Sequence, residues 1–197
     1  MNNRELYLYL RAKNSGSGSP ETEETLKALI DRSIISIDIP DGMTNIGSQV
    51  FNQCRDLVRV TIPNSVTNIG SYAFCNCNSL VNINIPDSMV SLQANTFINC
   101  NSLTDIALPS SITRVASTTF SGCTSLTNVT LGDGFNANML DLSVSTLYST
   151  DTLVGILNAL ANRTGMSAYT LTLGSTNLAK LSDEQIAIAT EKNWTLA

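Results

Sequence analysis

Five cysteines are the first residues in this chain equipped for chemistry. Cys54, Cys77, Cys100 and Cys123 stand 23 residues apart, and Cys75 lies beside Cys77 but outside that series. Thiolates act as nucleophiles, ligate soft metals and close disulfides. Three readings are open to the periodic four: a ladder of buried reduced thiols, disulfides between neighbouring rungs, or a thiolate metal site. The pattern favours the first. Free cysteine packs as a small buried hydrophobe, rung-to-rung disulfides would strain their geometry, and thiolate sites use closely spaced Cys pairs or His partners. Cys75 directly follows the apolar Phe74 and is expected to face outward, which makes it the candidate reactive or intermolecular thiol.

Other chemistry finds little footing. The chain has no histidine, which removes His-based general-base catalysis, the serine triad and imidazole ligation. Asp38, Asp105 and Asp133 do not form a compact loop of alternating oxygen ligands for calcium. Asp183 and Glu184 suit the first turn of a helix. No set of residues converges on a catalytic arrangement, so neither an enzyme nor a cofactor is expected. A net charge of −5 and an isoelectric point near 4.6 argue against nucleic acid as a partner. No apolar run approaches a membrane span, so no membrane insertion is expected. The opening Met1-Asn2-Asn3-Arg4-Glu5 does not read as a secretory signal.

The cysteine spacing belongs to a longer pattern. Pro40, Pro63, Pro86 and Pro109 share the period of 23, as do Phe51, Phe74, Phe97 and Phe120. Aliphatic slots run in the same step: Ile34, Leu57, Leu80, Leu103, Leu126; then Ile37, Val60, Ile83, Ile106, Val129; then Ile39, Ile62, Ile85, Leu108, Leu131. Apolar residues locked to such a period predict a solenoid, in which each unit buries its face against its neighbours. The last two slots, two residues apart, predict a strand closed by proline. The phenylalanine is expected to enter the core from a short helical turn on the opposite side. The fold predicted is thus an α/β repeat solenoid with a parallel strand face, short helical turns on the other side and helical caps at both ends.

Four segments follow. Residues 1–19 hold a Leu/Tyr alternation (Leu6 to Leu10) and a Gly/Ser linker, and offer a site of assembly. Residues 20–33 predict an N-terminal capping helix, with Ser19 as N-cap and Pro20 at the first helical position. Residues 34–138 carry the repeats; the period breaks after Phe135, because Asn138 falls where an apolar residue is due. Residues 139–197 predict longer strand–helix capping repeats. They include a helix near 151–162, a strand over Tyr169 to Leu173 and a last helix opened by a Ser182/Gln185 capping box.

The run "IPNSVTNIGSYAFCNCNSLVNINIP" resembles the BspA-like class of leucine-rich repeats. The resemblance covers about Ile34 to Phe135, and the tail from Tyr169 is similar to a module found beside such repeats in bacterial and prophage-encoded proteins. The chain departs from the pattern where the turn glycine (Gly47, Gly70) becomes Gln93 and Ala116. The resemblance implies a non-enzymatic interaction protein of a cell surface or phage particle, with relatives associated with adhesion. Any ligand, protein or glycan, is then expected on the polar strand positions that do not repeat: Arg59, Thr61, Asn82, Asn84, Asp105, Asn128 and Thr130. The alternative is a structural spacer or assembly subunit with no ligand of its own.

Overall fold

In a computed structural model of the chain, residues 32–197 are described. The tail and linker over 1–19, and nearly all of the helix expected over 20–33, lie outside the described residues. The repeats contribute β1 (Ser36–Asp38) and β2 (Asn45–Ile46), β3 (Arg59–Thr61) and β4 (Asn68–Ile69), β5 (Asn82–Asn84) and β6 (Ser91–Leu92), β7 (Asp105–Leu108) and β8 (Arg114–Val115), and β9 (Asn128–Leu131). The odd-numbered strands form one parallel five-stranded sheet in chain order. Its register equals the sequence period, with Ile37 beside Val60, Val60 beside Ile83, Ile83 beside Ile106 and Ile106 beside Val129. All three aliphatic slot series are buried.

The opposite side is not helical. It is built of tight turns in which residues with positive φ recur at fixed slots: Gln49, Tyr72 and Asn95, then Gln53, Asn76, Asn99 and Gly122. This corrects the expected short helical turns. A left-handed residue at every such slot swings alternate amides outward, so they bond between units: Phe51 N–H to Ala73 O at 2.8 Å, Phe74 N–H to Thr96 O at 2.9 Å and Phe97 N–H to Thr119 O at 3.0 Å. Asn is among the few non-glycine residues that enter this conformation at modest cost. The phenylalanine rings, held in this frame, stack nearly parallel with centroids 5.1, 5.6 and 5.8 Å apart, and all four are buried.

The even-numbered strands form a second ladder, and it is interrupted. β2 pairs with β4 and β6 with β8, but β4 and β6 do not pair. Gly70 donates to Ile46 O at 2.8 Å, and a Cβ on Gly70 would stand 2.5 Å from Ser48 N. The unit that follows carries Gln93 at this slot and the pairing lapses there, although Ala116, one unit further, again bonds the preceding unit at Leu92 O, at 3.1 Å. Thr96 and Thr119, where Ala73 stands one unit earlier, are buried yet satisfied, since both hydroxyls donate to Gln93 O.

After β9 the architecture changes. β10 (Met139–Asp141), β11 (Tyr169–Thr172) and β12 (Trp194–Leu196) form a separate parallel sheet. α1 (Thr150–Ala159) packs against β9. It ends before the expected boundary at 162, because Leu160 leaves the helix to form a parallel bridge with Phe135. α2 (Ser175–Leu178) is a single turn, and α3 (Asp183–Glu191) opens with the Ser182/Gln185 capping box. Arg163 is buried with its guanidinium carbon 3.4 Å from the centre of the Tyr169 ring, and it donates to Asn136 Oδ1 and Ser167 O.

Two substitutions test this packing. Phe74→Ala leaves a hole between two fixed rings and is expected to cost about 3–5 kcal/mol in urea unfolding. Gly70→Ala drives a methyl into the Ser48 backbone and is expected to cost about 1–3 kcal/mol.

Candidate binding face

Along each odd-numbered strand side chains alternate between core and solvent. Stacking in register turns the solvent set into two columns. Ser36, Arg59, Asn82, Asp105 and Asn128 form the first; Asp38, Thr61, Asn84, Ala107 and Thr130 form the second. All seven residues singled out from the sequence are exposed on this one face.

Their roles differ. The Asn84 amide donates to Ile62 O at 2.7 Å and accepts from Ile62 N–H at 3.0 Å, so it completes the edge between β3 and β5. Asp105 accepts from Asn128 Nδ2 at 3.1 Å and from the Thr104 hydroxyl at 2.6 Å. This fixes the carboxylate in place and leaves lone pairs free on both oxygens. Arg59 lies 3.7 Å from Asp38, but the side chains are 60% and 71% exposed, so the pair adds little stability. Ala107, between Asn84 and Thr130, leaves the face low at its centre. A shallow depression of 290 Å³ opens there, bordered by Asn82, Asn84, Asp105, Asn128 and Thr130. It gathers five of the seven residues; Arg59 and Thr61 lie outside it.

One column escaped the sequence reading. Ile35, Val58 and Val81 are 64%, 41% and 37% exposed, each one residue before the first polar column. Their spacing of 23 was the available signal, but aliphatics at that period read as core. Thr104 and Thr127 continue the column in polar form, and each hydroxyl bonds the carbonyl one unit before, on Val81 and Thr104.

The thiols lie in the turns. The Phe51 carbonyl accepts both Cys54 N–H and the Cys77 thiol at 3.1 Å; the Phe74 carbonyl accepts Cys77 N–H and the Cys100 thiol at 3.2 Å; the Phe97 carbonyl accepts Cys100 N–H and the Cys123 thiol at 3.1 Å. All five cysteines are free. Burial pushes Cys54 up to about 11 and Cys123 up to about 12. Cys77 and Cys100 are raised too, by burial and then by neighbouring thiols. Cys75 corrects an expectation. It does not face outward: it is only 7% exposed, Asn76 Nδ2 lies 3.1 Å from its sulfur, and burial raises its pKa. The turn places Cys75 and Cys77 on either side of left-handed Asn76, so both are drawn in. Cys75 is still shallower than the ladder thiols, which are at most 1% exposed.

Parallel strands at a 23-residue register, one core slot pattern and an open polar sheet define a leucine-rich repeat. The family described as the BspA type leucine rich repeat region matches residues 27–141 in six copies, and the chain belongs to this family. Among solved structures, a Treponema pallidum leucine-rich repeat protein is 22% identical, with 83% of this chain and 85% of that one covered and a TM-score of 0.51. A leucine rich cell surface protein from Faecalibacterium prausnitzii is 30% identical over 50% of this chain, with a TM-score of 0.41, and the match spans about a third (32%) of its length. A leucine-rich repeat protein from Bacteroides ovatus is 21% identical, with 74% and 45% covered and a TM-score of 0.39. No curated protein matches the chain.

The thiols make stability depend on pH. A raised folded pKa means that the folded chain holds its protons longer than the unfolded one. The stabilisation is complete below about pH 8.5 and is lost as pH rises toward the folded values. Unfolding free energy is expected to be level near neutrality and to fall between about pH 9 and 11, by on the order of 1 kcal/mol per thiol per pH unit. Cys54→Ala/Cys123→Ala protein is expected to show a shallower fall in urea titrations. Thiol titration of native protein is expected to label Cys75 first.

Proposed function

We propose that this protein is a non-catalytic recognition or adhesion module of a bacterial cell surface or phage particle, and that its strand face contacts a protein or glycan. The depression over Ala107 carries this reading. It sits at the middle of a continuous polar sheet, and its rim holds amides, a hydroxyl and an orientated carboxylate that can both accept and donate. Ile35, Val58 and Val81 add an apolar border to the same face, so a ligand can bury apolar area beside its polar contacts. Placement on a surface or particle is carried over from the family resemblance. The division into tail (1–19), N-terminal cap (20–33), repeats (34–138) and C-terminal cap (139–197) belongs to the same reading, with α1 closing the far end of the sheet. No helix among the described residues is long and apolar enough to cross a membrane.

The alternative, a spacer or assembly subunit, is favoured by the internal use of Asn84, Asp105 and Asn128. In that reading association runs through residues 1–19.

Arrays of extracellular host proteins and of glycans, probed with the full chain, separate the two. Arg59→Glu, Asn82→Arg and Asp105→Arg are each expected to lower binding of a hit at least tenfold while leaving the unfolding midpoint unchanged. Binding that survives all three removes the face from consideration. A chain lacking residues 1–19 is expected to bind as the full chain does; loss of an oligomer with no change in ligand binding supports assembly instead.

A further inference from the structure

The ladder of turn bonds stops at the last repeat. In each earlier unit, amides two residues apart bond carbonyls of the unit that follows. Phe51 and Gln53 N–H reach Ala73 and Cys75 O at 2.8 and 2.7 Å, and Phe74 and Asn76 N–H reach Thr96 and Ile98 O, both at 2.9 Å. Phe97 and Asn99 N–H reach Thr119 and Ser121 O at 3.0 and 2.8 Å. Phe120 and Gly122 hold the same slots in the last unit, and Gly122 shares the left-handed conformation of Asn99. Their amides therefore point onward too, yet among the described residues no acceptor meets either one. The break in period accounts for this. Asn138 N–H bonds Thr113 O from 25 residues on, where Thr113 N–H bonds Val90 O from 23, and Leu142 N–H turns away to Thr172 O at 2.8 Å.

A recess of 250 Å³ opens at this point. Its lining comes from the last turn, with Ser117, Phe120, Ser121 and Gly122, and from Asp141, Ser143 and Val144 across from it. Phe120 is 2% exposed, and a shielded amide without a partner is rare in a folded chain, so an acceptor belongs here. Asp141 Oδ1 accepts from Ser143 N–H at 3.0 Å and from the Ser143 hydroxyl at 2.7 Å. This fixes the carboxylate and leaves Oδ2 open among the described residues. The lining selects by charge. Two N–H donors disfavour a cation, and a carboxylate beside them, on a chain of net charge −5, disfavours an anion. What fits is a neutral group that accepts and donates at once, as a hydroxyl does. A hexose ring carries several hydroxyls, and its C–H faces suit Val144. We infer that this recess binds one neutral hexose unit of a glycan, whose hydroxyls accept from Phe120 and Gly122 N–H and donate to Asp141. A single peptide amide obeys the same charge rule but brings one donor and one acceptor, too few for this lining. The site is separate from the strand face and does not depend on it.

The probes are the methyl glycosides of glucose, galactose, mannose and N-acetylglucosamine, titrated into isotope-labelled full-length protein. At least one is expected to shift the Phe120 and Gly122 amide resonances saturably. Asp141→Asn keeps an acceptor for Ser143 and is expected to weaken that binding about tenfold, the loss of one hydrogen bond to a charged group, with an unchanged unfolding midpoint. Asn82→Arg on the strand face is expected to leave it intact. A hexose site is overturned if no glycoside shifts these amides, if the shifts map to the strand face, or if Asp141→Asn binds as the parent does. Tighter binding of methyl glucuronide or inorganic phosphate also overturns it, because the recess is then an anion site. Equal binding of N-acetylglycine methylamide overturns it in favour of a peptide site.

Discussion

One carbonyl per unit holds the turn side of this molecule in register. The phenylalanine carbonyl takes the amide of the cysteine three residues on and the thiol of the cysteine one unit further. The second bond forms only if the next unit is neither slipped nor rotated. Phenyl rings stacked between 5.1 and 5.8 Å apart and parallel strands on the far side obey the same spacing. A buried carbonyl in an apolar stack is costly unless satisfied, and a short thiol reaches it without disturbing the rings. The periodic cysteines are thereby explained as donors of shape and polarity, and their burial turns them away from thiolate chemistry.

The fixed positions leave function to the remainder. Apart from the exposed Ile35, Val58 and Val81, the aliphatic, phenylalanine and cysteine slots that recur are spent on the core, on a turn or on the ladder. The strand face varies from unit to unit at Arg59, Asn82, Asp105 and Asn128, and a small residue at Ala107 gives it relief. Even there, part of the polarity is internal: Asn84 looks like a surface amide but acts as a missing piece of the β3–β5 edge.

The repeat architecture was legible in the sequence because the core slots obey one period and strand alternation then dictates which neighbours face water. Legibility failed where backbone conformation, and not side-chain polarity, decides. Gln53, Asn76 and Asn99 could sit in a helical turn by composition; their left-handed geometry replaces that turn with bonds between units. Cys75 follows a buried residue, which in a strand or helix would turn it outward, but left-handed Asn76 between Cys75 and Cys77 lets both flanks be buried. The C-terminal register was hidden for a related reason: Leu140 pairs with Leu171 and Leu171 with Leu196, spacings set by α1 and α3 and by no repeat. The exposed Ile35, Val58 and Val81 were hidden for another reason: they share the period of the core slots but not their burial.

The seam between β4 and β6 has a mechanical meaning. The five-stranded sheet runs unbroken along one side, while the second ladder is cut at Gln93 into two pairs. The cut does not separate the units, because turn bonds cross the same boundary: Phe74 N–H to Thr96 O and Asn76 N–H to Ile98 O, both at 2.9 Å, and the Cys100 thiol to Phe74 O at 3.2 Å. The stack is thus tied along more than one line, and a lapse in one ladder leaves the spacing of its neighbours to the others.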